Sequence, residues 1–146
     1  MEVVLDSNIL FRILISGGEI IDLLYDESLK IYAPLKLKEE LEKHKAEIIE
    51  KTHFSEQDVK NMILILAGLI EFVSREEYSE HINKAKKLLK GHDKDIDFVA
   101  LALKKQCKVW AYEKRLFEIG MGISTKEIDN VLKKEEIKKF HNNHNK

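Results

Sequence analysis

Four short runs rich in β-branched and aromatic residues, and a weaker fifth, recur along the chain with helix-patterned stretches between them. They are "EVVL" from Glu2, "LKIYA" from Leu29, "LIEFV" from Leu69, "KVWAY" from Lys108 and "MGIST" from Met121. Most of the intervening segments are far longer than a hairpin turn. Strands joined through helices run parallel and need cover on both faces. The pattern therefore predicts an α/β chain with a mainly parallel central sheet of four to five strands and helices on both sides. At 146 residues the chain can bury one substantial core. Residues 1–138 are read as a single domain, and residues 139–146, "KFHNNHNK", as a polar, flexible tail.

The helical stretches carry their own signals. Ser7 to Ile15 is expected to be helical and to stop at Gly17 and Gly18, and Glu19 to Tyr25 gives a second short helix. Pro34 suits the first turn of a helix with Leu37, Leu41 and Ile48 on one face. Another helix starts after Ser55, with Glu56 and Asp58 near its N-terminus. Glu76 to Leu89 is amphipathic and closes at Gly91. "FVALAL", Phe98 to Leu103, is apolar all round, as in a buried helix.

Composition excludes several classes. The charged fraction is 35%, against a usual value of about 25%, yet the signs balance to a net charge of −1. A uniformly basic nucleic-acid binder is thereby excluded, but a local basic patch is not. Cys107 is the sole cysteine, so neither an intrachain disulfide nor a thiolate zinc site can form. The longest apolar run, Met62 to Ile70, falls far short of the ~20 residues of a membrane span. No signal-peptide pattern opens the sequence. A soluble, cytoplasmic protein with no membrane partner is expected.

Acidic residues stand at places that one sheet could bring together. Asp6 follows the first strand directly, at the carboxyl edge where parallel sheets bind ligands. In "LKLKEELEKH", Glu40 lies beside the apolar stripe, one turn before His44, while Glu39 and Glu42 point away. Asp93, Asp95 and Asp97 crowd the start of the buried helix, and Asp95 is the one expected to face inward. Glu113 lies just past the fourth strand, as Asp6 lies past the first. Each acid alone has an ordinary explanation as a cap, a first-turn acid or half of a Glu–Lys pair. Together they would raise one another's pKa values unless a hard cation joined them. Mg²⁺ or Mn²⁺ suits a set of oxygen donors with no Cys and little His.

At these residues the sequence resembles the PIN-domain family. "VVLDSNILF" is similar to the family's first motif, which points to Asp6 with Ser7 and Asn8 in support. "KEELEKH" is similar to its helical Glu motif, pointing to Glu40. "DIDFVALAL" and "KVWAYEKRL" resemble the third and fourth, pointing to Asp95 and Glu113. The resemblance implies a three-layer α/β/α sandwich and Mg²⁺- or Mn²⁺-dependent cleavage of single-stranded RNA, with Asp6, Glu40, Asp95 and Glu113 as catalytic metal-binding acids. Many members are toxins of toxin–antitoxin pairs and members often dimerise, so an antitoxin protein and a second copy of the chain are candidate partners.

Two departures stand out. The fourth motif usually reads Thr or Ser, Asn, Asp, whereas here it is Ala111, Tyr112 and Glu113. Asp97 stands where relatives often carry an apolar residue or Pro, and either adds a metal-binding carboxylate or caps the helix. Lys114 and Arg115, beside Glu113, are candidate phosphate contacts, and Tyr112 a candidate stacking platform for an unpaired base. Two rivals remain. An aspartyl phosphatase wants a second Asp two residues after the first, where this chain has Asn8. A catalytically weakened PIN-like module would bind RNA or protein without cutting.

Overall fold

The computed structural model describes residues 1–16 and 19–144. Five strands form one sheet: β1 (Glu2–Leu5), β2 (Lys30–Pro34), β3 (Ile70–Val73), β4 (Lys108–Trp110) and β5 (Gly122–Ile123). Every neighbouring pair is parallel, in the order β3-β2-β1-β4-β5. The helices are α1 (Ser7–Ser16), α2 (Glu19–Leu24), α3 (Leu35–Lys43), α4 (Lys45–Thr52), α5 (Glu56–Leu69), α6 (Arg75–Tyr78), α7 (Ile82–Leu89), α8 (Ile96–Lys105), α9 (Lys114–Glu118) and α10 (Thr125–His144). Together they make the α/β/α sandwich.

β1 shows why the sheet must be covered twice. Val3, Val4 and Leu5 point alternately to opposite faces, yet none has any exposed surface. α8 lies across β1, β2 and β4. It buries Ile96, Phe98, Val99, Ala100, Leu101 and Ala102, as an all-apolar helix should. α7 packs behind α8, and α1 packs on α4. Trp110 is fully buried, and its indole N–H donates to Thr125 Oγ1 at 2.9 Å. That bond ties β4 to the start of α10 and satisfies a donor that could not reach water.

Three expectations need correction. Pro34 ends β2 and precedes α3 instead of occupying its first turn. The helix expected to carry Leu37, Leu41 and Ile48 is two helices, parted at His44, although all three side chains stay buried. No Pro or Gly marks that bend. It falls where Phe11 of α1 meets the His44 ring edge-on, 5.6 Å between centroids. The stretch from Glu76 to Leu89 is likewise broken by a 3₁₀ turn at Ser79–His81. There the Ser79 hydroxyl donates to the Glu76 carbonyl at 3.1 Å, competing for a helical acceptor. In the segment read as a tail, residues 139–144 continue α10. The expected stop at Gly17 and Gly18, and residues 145–146, lie outside the described residues.

α5 has the best-defined start of the helices. Ser55 Oγ accepts the Asp58 N–H at 3.1 Å, and the Asp58 carboxylate accepts the Ser55 N–H at 3.4 Å. This reciprocal pair satisfies two otherwise orphaned donors. Ser55→Ala is expected to cost about 1 kcal/mol. In urea the unfolding midpoint should fall with the slope unchanged, whereas an unmoved midpoint would mean the cap does not hold in solution.

Candidate active site

The strand order reverses at β1. The chain lays β2 and β3 on one side of it, then β4 and β5 on the other. The crevice at the carboxyl ends of β1 and β4 is therefore the switch point at which open α/β sheets bind ligands. Leu5 is in register with Trp110, and the next amide, Asp6 N–H, donates to the Trp110 carbonyl at 3.1 Å. Asp6 in turn accepts the Leu10 N–H at its backbone carbonyl, 3.2 Å, which starts α1. Strand pairing and helix initiation thus fix the backbone on both sides of this carboxylate.

Among the described residues, Asp6 and Asp95 are the two buried charged side chains, 2% and 5% exposed. Asp95 comes from the opposite direction. After α7 the chain passes through two left-handed residues, Lys90 (φ 47°) and Gly91 (φ 93°). That turn leads into the 3₁₀ turn Asp93–Asp95 and then α8. Asp95 occupies the N-cap position of α8 without making a side-chain cap bond. Its carboxyl instead faces that of Glu113, close enough for the two to share a proton. Glu113, at the start of α9, makes no cap bond either, and it accepts a hydrogen bond from Asn8 Nδ2 at 3.3 Å. Glu113 and Asp95 line a cleft with Gly91, His92, Asp93 and Lys94. Glu40, half-buried on α3, adds its negative charge to the field at Asp6.

These placements shift proton affinities. Burial pushes the Asp6 pKa up from 3.8 to about 6, the Glu113 charge adds to it, and Glu40 adds less. Hydrogen bonds from the N–H groups of Ser7 and Asn8 partly offset the rise. Asp95 is also raised, by burial first, then by its hydrogen bond and repulsion with Glu113 and by the charge of Asp6, with Lys36 opposing. Asp6 Oδ2 is buried with no hydrogen-bond partner. A buried acceptor without a partner is costly, and here it belongs to a carboxylate among carboxylates.

Asp97 goes elsewhere. Its Oδ1 accepts the Tyr78 hydroxyl at 2.8 Å and lies 3.6 Å from Arg75 Nε, while Oδ2 lies 3.1 Å from Lys36 Nζ. Burial alone would raise its pKa, but the hydrogen bonds from Tyr78 and Lys36 and the charges of Lys36 and Arg75 outweigh it, and the net shift is downward. Asp93 is exposed. Ser7 is the first residue of α1, half-buried. Lys114 is 90% exposed and within 3.9 Å of Glu118. Arg115 turns inward, its Nη2 donating to the Leu89 carbonyl, so it braces the end of α7. Tyr112 is exposed, with the Arg12 guanidinium 4.9 Å from its ring centre. Two residues were missed from the sequence, Lys36 and Arg12. The available signal was spacing: Lys36 lies one helical turn before Glu40, and Arg12 one turn after Asn8.

Among the described residues, no three His, Cys, Asp or Glu side chains are spaced as a ready-made metal cage. The donor set nevertheless fits a hard divalent cation: oxygen ligands alone, raised proton affinities and one buried carboxylate oxygen without a partner. The acids of this compact α/β/α domain gather at the switch point, where open α/β sheets bind ligands. The family model of the PIN domain matches residues 4–136, and the chain belongs to that family. PIN domains are generally nucleases that act on RNA and use divalent metal ions. No curated protein matches the chain significantly. No helix among the described residues is long and apolar enough to cross a membrane.

The raised Asp6 pKa has a definite consequence for stability. Between about pH 4 and pH 6 the folded state holds a proton there that the unfolded state has released. Asp6 should lower metal-free stability by at most about 3 kcal/mol as pH rises through that window, and Asp95, also raised, adds to the fall and extends it. Asp6→Asn, which keeps the shape and removes the charge, is expected to melt no lower than the parent at neutral pH and to lose the Asp6 share of this dependence. Thermal melts in chelator across pH provide the check. An unfolded Asp6→Asn protein, with parent stability rising through the window, would make Asp6 a structural hydrogen-bonding residue.

Proposed function

We propose that the chain is a divalent-metal-dependent endoribonuclease that hydrolyses phosphodiester bonds of single-stranded RNA. The observation that carries this reading is the pair of buried aspartates, Asp6 and Asp95, facing Glu113 at the switch point, with Asp6 Oδ2 left without a partner. Asp6 and Asp95, with Glu113 and Glu40, would hold Mg²⁺ or Mn²⁺. When bound, such an ion neutralises the phosphodiester, lowers the pKa of an attacking water and stabilises the leaving oxygen.

The rest is the work of the chain. Asn8 holds one oxygen of Glu113 and so limits where the other points. Burial of Asp6 by the covered strand β1 keeps water from competing for its oxygens. Tyr112, exposed beside Glu113, offers a face on which an unpaired base can stack. That feature favours a single strand over a duplex, whose bases are already stacked. The role of a toxin held by an antitoxin in the cytoplasm, and a homodimer, are compatible extensions of the same reading. One observation favours a second reading, a PIN-like module that binds RNA or protein without cutting: the carboxylates are not spaced as a finished cage, and Glu113 brings a longer arm than the family's usual Asp.

Cleavage of single-stranded RNA should require Mn²⁺ or Mg²⁺, stop in chelator and exceed cleavage of duplex RNA. Chelator-resistant cleavage by pure protein would remove the metal mechanism, and metal binding without turnover on a broad RNA set would establish the second reading. Divalent ion should also stabilise the parent, by about 2.7 kcal/mol when free metal is a hundredfold above its Kd, and stabilise Asp6→Asn less.

Glu113 separates the readings further. Glu113→Asp is expected to retain or raise activity, and Glu113→Ala to lower it by two orders of magnitude or so, as loss of a directly acting group does. Single-turnover rates on one RNA would show this. Unchanged cleavage by Glu113→Ala would put Glu113 outside the site.

A further inference from the structure

We propose that Lys36 and Arg75, anchored by Asp97, bind a backbone phosphate of the RNA strand beside the bond to be cut. The proposal takes the kind of substrate from the ribonuclease reading. It concerns a part of the edge that the acid cluster does not use. Lys36 sits in the first turn of α3, following β2, and Arg75 is the first residue of α6, following β3. Both therefore stand at the carboxyl edge, on the side of β1 away from β4. The segments that carry these cations thus leave the sheet one and two strands over from the one that carries Asp6, on the side along which a strand crossing the edge would run.

The corner is built, and its charge does not cancel. Lys36 Nζ is 3.1 Å from Asp97 Oδ2 and Arg75 Nε is 3.6 Å from Asp97 Oδ1. The Tyr78 hydroxyl donates to the same Oδ1. Two cations on one carboxylate leave one positive charge in excess. The Asp97 side chain is only 15% exposed, whereas Lys36 is a third exposed and Arg75 more so. The cations thus reach solvent while their anchor stays inside. The Lys36 ammonium also lies 5.2 Å from the centre of the Phe98 ring, which further restricts its swing. The two cations beside Glu113 are less suited. Arg115 is committed to the Leu89 carbonyl, and Lys114 is a freely exposed side chain on a short helix.

Asp97 on this account is a positioning residue. It explains why a carboxylate occupies this place although it does not join the acid cluster. A phosphate arriving at Lys36 and Arg75 finds both held in place, and less side-chain entropy is lost on binding.

The test is the salt dependence of binding. Labelled oligouridylate is titrated against Asp6→Asn protein with magnesium held constant and NaCl varied. Each phosphate contact contributes about 0.7 to the slope of log Kd against log salt for a single strand. Lys36→Met and Arg75→Met, each added to Asp6→Asn, should each lower the slope by up to about that amount, and Lys36→Arg should keep it. In the otherwise unaltered enzyme, Lys36→Met should raise KM roughly tenfold, as loss of a charged hydrogen bond does, with kcat nearly unchanged. Asp97→Asn should weaken binding, and adding Lys36→Met to it should cost less than Lys36→Met alone.

Unchanged slopes in both Met variants, with melts showing folded protein, would overturn the proposal. So would fully additive losses for Asp97→Asn and Lys36→Met, or a parent that binds no oligouridylate. The two readings fail separately. A protein that cleaves RNA with unaltered slopes loses only this inference. A protein that never cleaves, yet binds with a slope that depends on Lys36, loses only the ribonuclease activity.

Discussion

The parallel pairing of β1 with β4 governs the rest of the architecture. Leu5 lies opposite Trp110, and the ladder extends one bond further through the Asp6 N–H to the Trp110 carbonyl. That register sets residue 6 level with the segment leading to Glu113. A slip of one residue would turn every side chain of β4 to the opposite face. Trp110 makes such a slip costly, because its indole fills the core and its N–H has a specific partner in Thr125. α8 lies over both strands, and its N-terminus brings Asp95 to the same crevice. The approach of three carboxylates from three distant parts of the chain follows from one strand pairing and one helix laid across it.

This placement works against stability. Asp6 has lost water, gained acidic neighbours and retains one oxygen without a partner. The fold can hold it there because both faces of β1 are covered by apolar side chains, each fully buried Leu, Ile or Val contributing about 1.5–3 kcal/mol. Asn8 Nδ2 adds a neutral side-chain hydrogen bond to the cluster, at Glu113. On the proposed reading, a carboxylate cluster assembled on a rigid sheet edge would receive a cation with little rearrangement of backbone, its side chains closing around the ion.

The strands and the buried helix were legible in the sequence because each signal was local: β-branched runs of strand length, and a helix apolar on every side. The parallel sense followed from the connections. What was not legible depended on tertiary contacts. The bend at His44 has no Pro or Gly to announce it and coincides with Phe11 from another helix. The break before α7 depends on the Ser79 hydroxyl taking the Glu76 carbonyl. The direction in which Asp6, Asp95 and Glu113 converge could be anticipated from strand ends, but the inward turn of Arg115 could not. Its partner, the Leu89 carbonyl, is a backbone group that no side-chain pattern reveals.

Asp95 and Asp97 show how finely the edge is divided. Successive helical residues are about 100° apart, so two positions carry a side chain roughly 200° around the axis. A pair at this spacing at the head of one helix cannot lean into one crevice. Asp95 faces acids and its pKa rises, while Asp97 faces Tyr78, Lys36 and Arg75 and its pKa falls. The chain as a whole carries a net charge of only −1, so its overall field offers an anionic strand no attraction. Any pull on a phosphate must come from local separation of charge, and the head of α8 supplies one. Within three residues it presents a carboxylate that lines the crevice among other acids and another, outside it, that gathers cations.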